Sequence, residues 1–160
     1  LNVIHPENEI AVMLMAMGFS YAGTRVAVGT SGGGFCLMTE GLSLSGMAEL
    51  PVVVLLGQRP GPSTGLPTYT GQTELNFALS AGQGEFTRLV AAPGDPEEAY
   101  YWSALSLKLA WKYQITFLCL MLLGQFIHLA RRRFAFKTKS IGKDLISWEK
   151  LPQKFRLIKS

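Results

Sequence analysis

The stretch Pro51-Val52-Val53-Val54-Leu55-Leu56 runs directly into Gly57-Gln58-Arg59-Pro60-Gly61-Pro62-Ser63-Thr64-Gly65-Leu66-Pro67-Thr68-Tyr69-Thr70-Gly71-Gln72-Thr73. A short run of valine and leucine without polar interruption reads as a strand buried on both faces. The loop after it is about sixteen residues long, and loops of that length inside a domain are usually functional or disordered. Its three prolines stiffen the backbone against disorder. In open α/β sheets, ligands sit just beyond the carboxyl ends of the strands. A guanidinium there, Arg59, surrounded by Ser63, Thr64, Thr68 and Thr70, suits a small carboxylate or phosphate. The other reading of Arg59 is a surface arginine that pins its own loop.

Outward from this stretch the chain alternates strand and helix. Leu1–His5 is a short apolar run that predicts a strand, and Pro6 with Glu7 and Glu9 opens a helix as the dipole favours. Ile10 to Ala22 is mostly Ala, Met, Leu and Val up to the stop at Gly23, so a helix buried on most sides is expected. Arg25–Gly29 predicts a strand, and the turn Thr30-Ser31-Gly32-Gly33-Gly34 leads to a helix over Phe35–Glu49. Beyond the long loop come a helix over Thr73–Ala81, a strand over Arg88–Ala92 and a helix from Pro96 to Lys112. Asp95 is its N-cap, Pro96 its first residue and Glu98 its capping-box acid. Ile115–Leu122 is the last strand. This order predicts an α/β fold, a doubly wound and mostly parallel sheet with helices on both faces.

Composition bounds the function. The 160 residues fit one domain with a sizeable core. Hydrophobic content of 48% against 16% charged, with mean hydropathy +0.22, points to extensive buried surface, including a partner interface. The net charge of +4 divides unevenly: residues 1–112 carry five Lys/Arg and nine Asp/Glu, residues 113–160 ten and two. The basicity belongs to the tail. A solvated terminal segment accounts for it without nucleic acid or membrane. Ile115–Ala130 holds no acid or base apart from His128 and is followed by Arg131-Arg132-Arg133. Its sixteen residues fall short of the roughly 20 that a bilayer crossing needs, and a buried strand followed by a helix is the preferred reading. The first residues, Leu1-Asn2-Val3-Ile4, show no signal-peptide layout and read like the middle of a longer polypeptide.

Little conventional catalytic machinery is present. Cys36 and Cys119 lack the spacing of an iron–sulfur or zinc site within this chain and are expected to be buried free thiols. His5 and His128 have no acid or nucleophile at a readable spacing, and no metal-ligand cluster exists. The turn Thr30–Gly34 sits where backbone N–H groups could face an anion, yet it matches neither common nucleotide motif, and a tight strand-to-helix turn explains it equally. Glu9 is either ordinary dipole compensation or something more specific. A carboxylate sunk against Ile10, Ala11, Val12, Met13 and Leu14 would lose solvation, which fits it for proton exchange.

Seven motifs then occur in order: Glu7-Asn8-Glu9-Ile10-Ala11, Ser20-Tyr21-Ala22-Gly23, Thr30-Ser31-Gly32-Gly33-Gly34-Phe35, Leu37-Met38-Thr39-Glu40-Gly41, the loop Gln58 to Thr68, Gly84-Glu85-Phe86 and Ala92-Pro93-Gly94-Asp95. Together they resemble the alpha subunit of the 2-oxoacid:ferredoxin oxidoreductases, most like the 2-oxoglutarate type. The resemblance implies a pyrimidine-binding domain of a thiamine diphosphate enzyme over residues 1–123, incomplete at its amino terminus, with 124–160 a basic tail or linker. It implies oxidative decarboxylation of a 2-oxoacid, with 2-oxoglutarate the first choice, using coenzyme A and ferredoxin in the cytoplasm. It implies that Glu9 hydrogen-bonds the aminopyrimidine ring and favours the tautomer that activates the thiazolium carbon. Arg59, with Ser63 and Thr64, would hold the substrate carboxylate, while Thr30, Ser31, Gly32 and Gly33 line the cofactor cleft. Mg²⁺ and an iron–sulfur cluster would lie on a beta subunit that shares the cofactor. Where the family's last strand ends in Ser-Asp-Gln, this chain reads Leu122-Leu123-Gly124-Gln125. The competing readings are a catalytically degenerate relative that keeps the fold, and a small membrane-associated protein built on Ile115–Ala130.

Overall fold

The computed structural model describes residues 2–122 and 158–159. The chain runs α1 (Glu9–Tyr21), β1 (Ala27–Ser31), α2 (Gly32–Leu37), α3 (Thr39–Met47), β2 (Val53–Gln58), α4 (Leu75–Ser80), β3 (Arg88–Ala91), α5 (Pro96–Tyr113), β4 (Thr116–Leu122) and β5 (Ile158–Lys159). The sheet order is β1-β2-β4-β3-β5. The first four strands are parallel, and β5 pairs antiparallel with β3.

The connections explain where the helices lie. From β1 to β2 and from β2 to β3 the chain steps the same way across the sheet; from β3 to β4 it steps back. Right-handed crossovers place the helices of opposite steps on opposite faces. Two apolar layers result. One holds Met13, Met17, Phe35, Met38 and Leu42 against Val54, Leu56, Leu118 and Leu120. The other holds Trp102, Leu105 and Leu109 of α5 against Val53, Phe117, Cys119 and Met121. Alternate residues of β2 and β4 therefore face different layers, which is why neither strand has a polar side. Each fully buried Val, Leu or Phe contributes roughly 1.5–3 kcal/mol, so these two strands anchor the fold.

Several local expectations need correction. Residues 2–5 form no strand: Val3 and Ile4 are exposed, and no described strand pairs with them. The helix over 35–49 is two helices, α2 and α3, broken at Met38. No separate turn exists at Thr30–Gly34, because β1 continues to Ser31 and α2 begins at Gly32. Helix α1 buries only Met13, Ala16, Met17 and Ser20, while Ile10, Leu14, Met15 and Phe19 are exposed. Its apolar composition records an exposed ridge as well as a core face. Of the two thiols, Cys119 is buried as expected but Cys36 is exposed. They lie on elements of opposite layers and are free. Burial pushes the Cys119 thiol up to about 12.

The strand Thr116–Leu122 lies within the predicted Ile115–Leu122, buried up to Met121 and half-buried at Leu122, and residues 123–157 lie outside the described part. Among the described residues no helix is long and apolar enough to cross a membrane. Asp95 caps α5 as expected, accepting from the Glu98 N–H (2.8 Å); the Glu98 carboxylate reaches one residue further back than a capping box requires and accepts from the Gly94 N–H (2.9 Å).

Candidate active site

Parallel pairing brings the carboxyl ends of β1 and β2 together, with Ser31 opposite Gly57. Past these ends the chain must turn back over the sheet. After β1 it does so through Gly32, Gly33 and Gly34 at the start of α2, and after β2 through the long loop that begins at Arg59. Three consecutive glycines in a helix are intrinsically poor choices. Here close neighbours exclude a side chain at Gly32 and Gly34, whereas one at Gly33 would make only ordinary contacts. A Cβ on Gly32 would lie 2.8 Å from Glu74 Oε1, and one on Gly33 3.6 Å from an Arg59 guanidinium nitrogen. A Cβ on Gly34 would lie 2.5 Å from Glu9 Oε1 and would also strike the Thr30 hydroxyl. The backbone at the start of α2 thus lies between two groups of polar side chains.

On the first side is a cavity of about 160 Å³, with Gly33, Cys36, Arg59, Ser63, Glu74 and Phe77 among its walls. Phe77 packs edge-on to Phe35, with ring centroids 5.1 Å apart, which ties this wall to the core. Arg59 is half-buried; one terminal nitrogen donates to the Thr64 carbonyl at 2.6 Å. Its Nε is buried without a hydrogen-bond partner. The guanidinium is therefore held by one arm to its own loop, with donor capacity left over. Arg59 therefore pins its own loop and also lines a cavity. Ser63 is in the cavity wall, but Thr64 contributes its carbonyl to Arg59 and is not part of that wall.

At Gly34 the second group begins. Asn8 caps α1, its side-chain oxygen accepting from the Ala11 N–H at 2.9 Å, so Glu9 is the first helical residue. Buried Ser20, at the other end of α1, donates to the Pro51 carbonyl at 2.9 Å and fixes the helix to the start of β2. Glu9 is half-buried, with its carboxylate over Gly34 and beside Thr30. It is not sunk into an apolar shell, because the ridge of Ile10, Leu14, Met15 and Phe19 beside it is open. Thr30 donates to the Ser31 carbonyl at 3.3 Å, and Ser31 makes no side-chain cap to α2. The structure thus collects Glu9, Thr30, Gly32, Gly33, Arg59 and Ser63 around one helix start. Among the described residues no three His, Cys, Asp or Glu side chains gather as metal ligands would.

Sequence reasoning missed Glu74. It is buried, 6% exposed, and accepts from the backbone N–H of Arg59 (3.1 Å) and of Thr73 (3.2 Å). The signal available was an acid at the start of a helix, which ordinarily means dipole compensation.

Residues 1–142 match the family described as pyruvate flavodoxin/ferredoxin oxidoreductase, thiamine diphosphate-binding. The chain belongs to this family. The alpha subunit of the 2-oxoacid:ferredoxin oxidoreductase of Saccharolobus solfataricus is 51% identical over 112 residues, 70% of this chain and 18% of that one. The corresponding subunit of oxidoreductase 1 from Sulfurisphaera tokodaii is 42% identical over 149 residues, 93% of this chain and 22% of its own. A solved structure of the 2-oxoglutarate:ferredoxin oxidoreductase from Magnetococcus marinus, with 2-oxoglutarate, coenzyme A and succinyl-CoA bound, superposes with TM-score 0.75 and 37% identity. It covers 78% of this chain and 22% of the larger one. The chain spans about a fifth of the length of these relatives. The parallel sheet with helices on both faces is the α/β fold expected from the motifs.

Proposed function

We propose that this chain is the pyrimidine-binding part of the alpha subunit of a 2-oxoacid:ferredoxin oxidoreductase. The observation that carries the reading is the placement of a carboxylate, Glu9, and a guanidinium, Arg59, against successive glycines of a single helix start. The site fits the cofactor's pyrimidine end: Gly34 leaves room beside Glu9 and Thr30 that any side chain would fill. Thiamine diphosphate, when bound, supplies the carbon nucleophile of the reaction.

This chain's own residues do the rest. Glu9 holds the proton shared with the aminopyrimidine and so sets its tautomer. Arg59 binds the substrate carboxylate with Ser63 beside it, while the Thr64 carbonyl steadies the guanidinium, and the pair orients the 2-oxo group. Thr30, Ser31, Gly32 and Gly33 form the wall between the two. The relative from Magnetococcus marinus favours 2-oxoglutarate as the substrate, with coenzyme A as acyl acceptor and ferredoxin as electron acceptor.

A beta subunit completes the site. Diphosphate-bound Mg²⁺ needs several oxygen ligands in octahedral geometry. The Gly-Asp pair here, Gly94-Asp95, is followed by Pro96, and Asp95 is occupied in capping α5. We therefore assign Mg²⁺ and the iron–sulfur cluster to the partner. Glu9 borders the exposed ridge of α1, as a catalytic group at an interface would. The assembly is placed in the cytoplasm, where free thiols such as Cys36 and Cys119 stay reduced. Isothermal titration with thiamine diphosphate and Mg²⁺ tests the reading. The alpha–beta complex is expected to bind stoichiometrically and the isolated chain weakly; tight binding by the isolated chain would refute the shared site.

A further inference from the structure

We infer that Glu74 is a positioning residue that sets the place of Arg59 and thereby the affinity for the 2-oxoacid. The inference rests on the substrate-binding role proposed for Arg59 and adds a residue that the motifs do not assign. Glu74 is the N-cap position of α4, but its side chain does not cap that helix. Instead it turns back under the long loop, where one carboxylate oxygen accepts from the Arg59 N–H and the other from the Thr73 N–H. The Thr73 hydroxyl completes the clasp by donating to the Arg59 carbonyl at 3.1 Å. Both ends of the loop are thus closed on one buried group, 6% exposed, that sits in the wall of the cavity Arg59 faces.

The same carboxylate lies against the start of α2, where only a glycine at position 32 leaves it room. Three segments that bear functional groups therefore meet on Glu74: the end of β2, the end of the loop and the start of α2. A buried carboxylate has a high cost unless its lone pairs are matched. Here two backbone donors match them, and these donors come from the segment whose position matters for substrate. Chain connectivity leaves Arg59 free to swing with a loop of this length; Glu74 removes that freedom.

The test uses the assembled oxidoreductase with Glu74→Ala, Glu74→Gln, Arg59→Ala and the Arg59→Ala/Glu74→Ala double variant. Glu74→Ala is expected to raise KM for the 2-oxoacid on the order of tenfold or more, as loss of two bonds to a charged acceptor would. kcat and the affinity for thiamine diphosphate should change by less than about threefold. Glu74→Gln, which keeps one acceptor oxygen, should recover part of the loss. In the Arg59→Ala background the Glu74→Ala change should add little. Hydrogen exchange at the Arg59 and Thr73 amides, followed in the same complexes, should quicken in Glu74→Ala whatever the substrate proves to be. An unchanged KM in Glu74→Ala while Arg59→Ala raises it would overturn the inference. If Arg59→Ala itself leaves KM unchanged, the role proposed for Arg59 fails. Amide exchange then decides for Glu74: faster exchange supports the clasp and unchanged exchange removes it.

Discussion

Arg59→Ala takes away a guanidinium that does two jobs. Its terminal nitrogen holds the Thr64 carbonyl at 2.6 Å, and its remaining donors face the cavity between the loop and α2. A hydrogen bond between a charged donor and a carboxylate contributes about 1.5–3 kcal/mol, and a neutral one about 0.5–1.5 kcal/mol. Part of the loop anchor survives through the backbone N–H of Arg59, which still bonds Glu74. The combined loss is therefore set at about 2–4 kcal/mol, or roughly 30- to 1,000-fold in kcat/KM. It should fall mainly on KM, because the substrate carboxylate is bound similarly before and during reaction. Arg59→Lys keeps the charge but not the two-pronged geometry, so it should recover part of the loss. Ferredoxin reduction by the assembled complex at varied 2-oxoacid concentration measures both variants. Near-normal kcat/KM in the alanine variant would show that Arg59 only pins its loop.

Gly34→Ala would push a methyl group onto the Glu9 carboxylate and the Thr30 hydroxyl. It should weaken thiamine diphosphate binding by the complex while the 2-oxoacid KM changes little, a split that Arg59→Ala should reverse; cofactor titration checks it. Native protein should react with a small thiol reagent at Cys36 and not at Cys119, with both reacting in denaturant, as counted by mass spectrometry. Because the folded Cys119 ionises only near pH 12, against about 8.5 when unfolded, its contribution to stability is complete below about pH 8.5. It is lost as the pH climbs toward 12. Denaturant midpoints should therefore decline across that window less steeply in Cys119→Ala.

Much of this architecture is written in local chemistry. Val52 to Leu56 has no polar position because both faces of β2 are covered, and Asp95-Pro96 with Glu98 starts a helix without help from elsewhere. Arg59 is legible as a candidate site residue because it follows a buried strand at the head of a stiffened loop. What could not be read depended on neighbours far along the chain. Gly32 to Gly34 suggest a turn, since glycine disfavours helix. They open α2 instead, and at Gly32 and Gly34 it is Glu74, Glu9 and Thr30, brought in from other segments, that leave no room for a side chain. Glu74 itself looks like any acid at a helix start until the fold brings Arg59, fifteen residues earlier, to its carboxylate. The composition of α1 cannot tell a helix buried all round from one with an open ridge, because both are apolar throughout.

Control of proton exchange on a shared thiamine diphosphate is the role proposed for Glu9. Glu9→Gln preserves the shape beside Gly34 and Thr30 but removes the ionisable proton. In the assembled complex loaded with thiamine diphosphate and Mg²⁺, proton–deuterium exchange at the thiazolium carbon can be followed by quench and NMR. The variant is expected to bind the cofactor still while exchange slows by about 100-fold or more, the scale of a lost general acid–base group. Exchange at the unaltered rate in the fully loaded variant would contradict it and leave Glu9 as a residue that merely begins a helix.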